Sequence, residues 1–219
     1  MLERAALLLV LAASPAAAEQ SYTVFLGGHQ LGTLRYDPGA TTELRSTFDG
    51  TPLGVFDGGY AGRSRQTGGQ AARYEGKSSA KRKSRAVEIA TDRAGQVVEV
   101  TITPERDRTA LSNVAEVPKG VLNPVAGFGR LVSGSTCPEA FKLYDGRRVI
   151  AVSPGKSSID GTVTTCWMDY RVILGPGHLS PLYIKSIDIK MVFDSSKAKT
   201  GPQEFTLRSG VFEVAFRRD

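Results

Sequence analysis

Two cysteines and two histidines are the residues in this chain that could serve as soft metal ligands or as a nucleophile with its base. The cysteines are Cys137, in "TCPEAF", and Cys166, in "TTCWMDY"; the histidines are His29 and His178. A structural zinc site takes four Cys or His ligands at short spacings, and these four residues are scattered along the chain. A thiol nucleophile needs a basic partner, for which His178 is the candidate. The remaining chemistry is a disulfide, which would stabilise the fold by roughly 3–4 kcal/mol in the chain-entropy model. A hydrolase would need His29 or His178 beside a Ser, Cys or Asp in a cleft. His29 falls in a hairpin turn and His178 in the Gly/Pro loop "GPGHLSP", which reads both as exposed loop residues.

Other short matches to catalytic motifs fail. "SPGKSS" carries the tail of a P-loop, but Ile150 stands where that motif requires glycine, and strand rather than helix follows. "GFGRLV" begins like a dinucleotide fingerprint, yet Val132 occupies the last glycine position and no strand leads into it. Neither G-x-S-x-G nor H-E-x-x-H occurs. Asp145 and Asp160 each precede a glycine, where a carboxylate performs turn chemistry. The sequence therefore names no catalytic, cofactor-binding or metal-ligating residue, and implies no cofactor.

Which cysteine chemistry applies depends on compartment. The chain opens "MLERAALLLVLAASPAAAEQ". Ala5 to Ala13 form an apolar run of signal-peptide length, and Ala16-Ala17-Ala18 offers a small-residue cleavage site. Residues 1–18 read as a cleaved signal peptide and residues 19–219 as a single β-rich domain, of 201 residues (219 − 18). No later run reaches the 18 or so apolar residues that mark a transmembrane helix. Export places the protein in the periplasm, where paired cysteines oxidise. A Cys137–Cys166 disulfide is the expectation; a redox-active thiol or two free thiols are the alternatives.

The elements that must carry these residues are mostly strands. In "SIDIKMVF", Ile187, Ile189, Met191 and Phe193 alternate with Asp188 and Lys190. "TTCWMDYRVIL" puts Cys166, Met168, Tyr170, Val172 and Leu174 on one face, and "GVFEVAF" aligns Phe212, Val214 and Phe216. "QVVEVTIT" places Val98, Val100 and Ile102 together. Hairpins are predicted at Gly27-Gly28, at Arg93 to Gly95, and at Asp145-Gly146. A two-residue turn at the last of these sets Tyr144 opposite Arg147, Leu143 opposite Arg148 and Phe141 opposite Ile150. One helix is predicted over 122–133, with Asn123 as N-cap, Pro124 in the first turn and Gly134 as its stop. Gly127 and Gly129 weaken it, and permit close approach to a sheet.

Formal net charge is +6, and residues 63–85 account for it with eight Lys or Arg against one acid, Glu75. Arg73, Lys77, Lys81, Arg82, Lys83 and Arg85 are candidate contacts to an anionic envelope surface. The alternative is solvated strands whose lysines guard an exposed edge. No nucleic-acid partner is expected: Tyr74 is the only aromatic in the stretch.

Taken together, "YTVFLGGHQLG", "NPVAGFGRLV", the cysteine before "LYDGRR", "CWMDY" and "GPGH" resemble the exported-protein family catalogued as domain of unknown function 3108. Its members carry a D-G-R-x-R-Y hairpin flanked by two cysteines, then a Y-x-P-x-x-G-H stretch. Val149-Ile150 replaces the usual hairpin ending here, and the stretch from Tyr170 to His178 is longer and lacks the proline. The resemblance implies a long curved antiparallel sheet, or partial β-barrel, wrapped around one short helix; it carries over no catalytic residue. Alternating strands also suit an outer-membrane barrel, although the terminal "AFRRD" lacks that class's aromatic ending. A one-sided curved sheet has an apolar concave face that invites a lipophilic ligand. Phe128, Leu131, Met168 and Tyr170 are the candidate lining residues. A lipid-like molecule or an envelope protein is the expected partner.

Overall fold

The structure is a computed structural model, and it describes residues 18–49, 57–80, 83–178 and 183–219. The predicted signal peptide lies outside these, except for Ala18. The described residues fold as one large curved sheet of fourteen strands, not closed into a barrel, around a single α-helix. The first half is an antiparallel meander of β1 (Gln20–Leu26), β2 (His29–Asp37), β3 (Thr41–Phe48), β4 (Gly58–Gly68), β5 (Ala71–Ala80), β6 (Lys83–Thr91) and β7 (Val97–Thr103). Three 3-10 turns between Glu105 and Glu116 then lead to the short β8 (Val121–Leu122) and the helix α1 (Pro124–Val132). The second half continues with β9 (Phe141–Tyr144), β10 (Val149–Asp160), β11 (Val163–Leu174), β12 (Ser186–Asp194), β13 (Glu204–Ser209) and β14 (Phe212–Arg218). The two meanders join where β1 pairs antiparallel with β14, while β7 and β8 form the outer edges.

The helix lies inside the curve. Its N-cap Asn123 accepts a hydrogen bond from the Ala126 N–H and donates to Ser64 Oγ, both at 3.0 Å. At the other end, the buried Gln20 side chain donates to the Val132 carbonyl (3.1 Å). Both ends of α1 are thus satisfied by strands of the first meander. Phe128 reaches the rings of Tyr36 and Phe205, 5.6 and 6.1 Å away, so the helix bridges the two halves. A β-carbon on Gly127 would fall 1.8 Å from Leu143 Cδ2 and one on Gly129 2.3 Å from Tyr36 Oη. These two glycines let the helix approach β9 and β2 as their positions suggested. The helix is shorter than the predicted 122–133, because Val121 and Leu122 pair with β9 instead.

Cys137 and Cys166 form a disulfide with their Cα atoms 5.5 Å apart. It ties the segment after the helix to the middle of β11, next to Ser157 of β10 and Met191 of β12.

Two registers differ from expectation. Tyr144 pairs with Val149 and Leu143 with Ile150, so the hairpin at Asp145 has a four-residue connection rather than a two-residue turn. The cause is the Asp145 side chain, whose Oδ1 accepts from the backbone N–H groups of Arg147 and Arg148 (3.0 and 2.9 Å). That Asx-type bonding extends the turn by two residues; Gly146 alone supplies a positive φ, of 89°. In β7, Thr91 pairs with Val97 and Ala90 with Glu99. Val98 is the extra residue of a β-bulge, so it points outward at 52% exposure while Val97 takes the core position.

Candidate ligand-binding site

Residues of "LYDGRR", "CWMDY" and "GPGH" meet at one place on the concave face. The Asp145 turn presents Arg148, whose Nε lies 2.8 Å from Asp145 Oδ2. Arg148 is 5% exposed. Its Nη1 stands 2.6 Å from His178 Nδ1, and His178 Nε2 stands 2.7 Å from Tyr170 Oη. His178 is held there by backbone bonds in both directions with Ile184, at 2.8 and 2.9 Å. The loop carrying it lies directly on the Arg147–Arg148 backbone. A β-carbon on Gly175 would come within 2.6 Å of the Arg147 carbonyl oxygen, and its φ is +87°, so only glycine permits this approach.

Donor and acceptor roles follow from the chemistry. A guanidinium only donates, so Nδ1 of His178 accepts and the ring proton sits on Nε2, where it is given to Tyr170 Oη. Burial, reinforced by the charges of Arg148 and Arg147, holds the His178 pKa down at about 3. Burial also raises the Tyr170 phenol, with Asp145 adding to the effect. His178 is therefore a neutral relay with both nitrogens engaged. No Ser or Cys stands among its hydrogen-bond partners in the described residues. His29, exposed at the start of β2, takes no part.

Leu143, Tyr170 and His178 line both of two adjoining cavities. The first, of about 260 Å³, is apolar. Phe128 and Leu131 of α1 close one side, and Ile187, Ile189, Met191, Phe205 and Leu207 line the sheet side. Of the four predicted lining residues, Phe128, Leu131 and Tyr170 are present. Met168 is not: both methionines are buried, but it is Met191 that lines the cavity. The second cavity, of about 340 Å³, is mixed: Tyr60, Tyr74, Arg85, Asp145, Arg147 and Arg148 give it a polar side, and Val87, Pro124, Leu143 and Ile150 an apolar one. Tyr60 and Tyr74 share a hydrogen bond at 2.8 Å. Each lies along its strand over a glycine, Gly62 or Gly76, where a β-carbon would meet the hydroxyl oxygen at 2.3 or 1.9 Å. Burial raises both phenols, Tyr60 to about 12.

The polar cleft runs into a larger groove of about 940 Å³ through Tyr60, Ser78 and Arg85. Lys77, Lys83 and Arg85 of the predicted basic contacts line it, joined by Arg45 and Arg106. Arg85 pairs with Asp107 at 2.7 Å. Arg73 is elsewhere, paired with Glu88 at 3.0 Å. Lys81 and Arg82 lie outside the described residues.

Among the described residues, no cluster of three or more His, Cys, Asp or Glu side chains could hold a metal, and no helix is long and apolar enough to cross a membrane. No family model, curated protein or solved structure matches the chain, so the family resemblance stands on its short motifs. His178, singled out in the sequence only as a candidate base and read as an exposed loop residue, is a site residue of another kind, and Arg148, Tyr60 and Tyr74 join it unforeseen. The one available signal was that "DGRR", Tyr170 and "GPGH" all belonged to the same family pattern.

Proposed function

We propose that this is an exported, periplasmic, non-enzymatic protein that holds a lipid-like molecule inside its curved sheet. The observation that carries the reading is the apolar chamber between α1 and β11–β13. At about 260 Å³ it falls just below the roughly 300–1,000 Å³ span of typical ligand pockets. It suits one short alkyl chain better than a bulky ring system or a two-chain lipid. The basic groove beside it supports an approach from an anionic envelope surface. The blocked ring nitrogens and depressed pKa of His178 argue against general-base catalysis, which works best with a pKa near ambient pH.

Native mass spectrometry of the exported protein, before and after denaturing extraction, tests this. The expected result is a discrete lipid-sized mass that is released on unfolding. A bare, oxidised chain that also takes up no added alkyl amphiphile would replace the reading with a structural or protein-binding role in the envelope.

A further inference from the structure

The relay Arg148→His178→Tyr170 has a direction, and it ends in a donor. Arg148 can only give hydrogen bonds, and His178 accepts one and passes one on. Tyr170 Oη receives that bond, so its own O–H remains to be given. Among the described residues nothing besides His178 stands within hydrogen-bond distance of it. The Tyr60–Tyr74 pair has the same property: one bond joins two hydroxyls, leaving one O–H over. A half-buried polar group is normally satisfied. Two leftover donors facing one cleft call for an acceptor there.

The charges agree. Three guanidiniums, of Arg85, Arg147 and Arg148, line the cleft. Asp145 answers Arg148 and Asp107 answers Arg85. Arg147 Nε donates to the backbone carbonyl of Asp107 (2.5 Å), and no carboxylate pairs with Arg147 among the described residues. The cleft thus holds one positive charge in excess, in partly buried surroundings where an opposite charge is felt strongly. In the adjoining chamber, beyond Tyr170 and His178, the lining turns almost entirely apolar.

Resting on the ligand-binding reading above, we propose that the ligand is a single-chain amphiphile with an anionic oxygen head, a carboxylate or phosphate ester. Its head accepts hydrogen bonds from Tyr170 and the tyrosine pair beside Arg147, and its chain enters the chamber under Phe128 and Leu131. Tyr170 is the contact residue; Arg148 and His178 position it.

Calorimetric titration of the exported, delipidated protein with four probes tests this: decanoate, decyl phosphate, 1-decanol and decyltrimethylammonium. The expected result is that decanoate or decyl phosphate binds at least tenfold more tightly than the alcohol or the cation. Tyr170→Phe should weaken the anion about tenfold, as loss of a hydrogen bond to a charged group does, and leave the alcohol unchanged. Leu131→Trp, which fills the chamber, should weaken all the probes together. Thermal melts of each variant establish that it is folded. Equal binding of alcohol and anion, or an anion affinity untouched by Tyr170→Phe, overturns the head assignment and leaves the chamber reading standing. Failure of all four probes to bind overturns both.

Discussion

The two meanders share one architecture and differ in what they turn inward. In β10–β13 the inward positions are Ile150, Val152, Met168, Ile189, Met191 and Phe205, all nearly inaccessible to solvent. In β3–β6 the apolar Leu44, Val87 and Ile89 share the inward face with Ser46, Tyr60, Gly62, Ser64, Tyr74, Gly76, Ser78 and Arg85. The first list buys stability from apolar burial, at about 25 cal/mol per Å². The second leaves room and hydrogen-bonding groups: Gly62 faces Gly76 across β4 and β5, and two tyrosines fill only part of that space. The same antiparallel pairing therefore makes a hydrocarbon-like end and a polar end within one concavity. Strand pairing decides the shape; inward residue identity decides what each end can hold.

If the second meander is the stability core, removing its clamp should have the largest effect of any single change. The Cys137–Cys166 bond spans 29 residues of sequence. A loop of that length, closed in the unfolded chain, contributes about 3–4 kcal/mol. Urea unfolding of the Cys137→Ser/Cys166→Ser double variant should show that loss relative to the oxidised protein. Because Cys166 sits amid β10–β12, Trp167 fluorescence should report it directly. A loss under about 1 kcal/mol would mean that the apolar face holds the unfolded chain's entropy in check without the clamp.

A methyl group placed on either side sharpens the contrast further. Gly127→Ala drives a β-carbon into Leu143 and close to Phe141, so two side chains of β9 must give way. Gly76→Ala meets only the far end of the Tyr74 side chain. Overpacking in a tight core costs about 1–3 kcal/mol. Gly127→Ala should fall in that range, and Gly76→Ala should cost less because Tyr74 can swing into the polar cleft. Paired urea titrations settle the order. The reverse order would show that the tyrosine pair is locked as firmly as the apolar core.

How far the sequence alone could reach is visible in the same residues. Alternation in "SIDIKMVF" fixed the inward face of β12 because one face is buried and a one-residue slip would expose it. Asn123 and Pro124 announced the helix start through local capping chemistry. Val98 was misassigned because a bulge shifts side-chain phase without leaving a compositional mark. The Asp145 turn was misread because Asp-Gly suits both a two-residue turn and an Asx-bonded longer one. His178 looked like an exposed loop residue. Its burial depends on Arg148, 30 residues away, which comes beside Tyr170 and His178 only after β10 and β11 pair. Met168 and Met191 share a sheet face, and nothing in their spacing says which one the helix leaves uncovered.

A last test addresses the seam between the two ends. His178 has a folded pKa of about 3 against an ordinary 6.5, chiefly through burial, with Arg148 and Arg147 opposing its protonation. A depressed histidine favours the neutral form in the fold, so its stabilising contribution is complete above pH 6.5. It is lost progressively as pH falls below 6.5 toward 3, because the unfolded chain then binds a proton that the folded chain refuses. The slope is on the order of 1 kcal/mol per pH unit. Asp107 and Glu75, whose pKa values are lowered by Arg85 and Arg63, respond only at more acid pH. Urea unfolding between pH 7 and 5 therefore isolates the histidine. The wild type should weaken across that window and His178→Asn should not. A parallel fall in both proteins would place the acid sensitivity elsewhere and mean that the imidazole is open to solvent. The polar and apolar ends would then meet at a wet boundary, and Tyr170 would lose its fixed orientation.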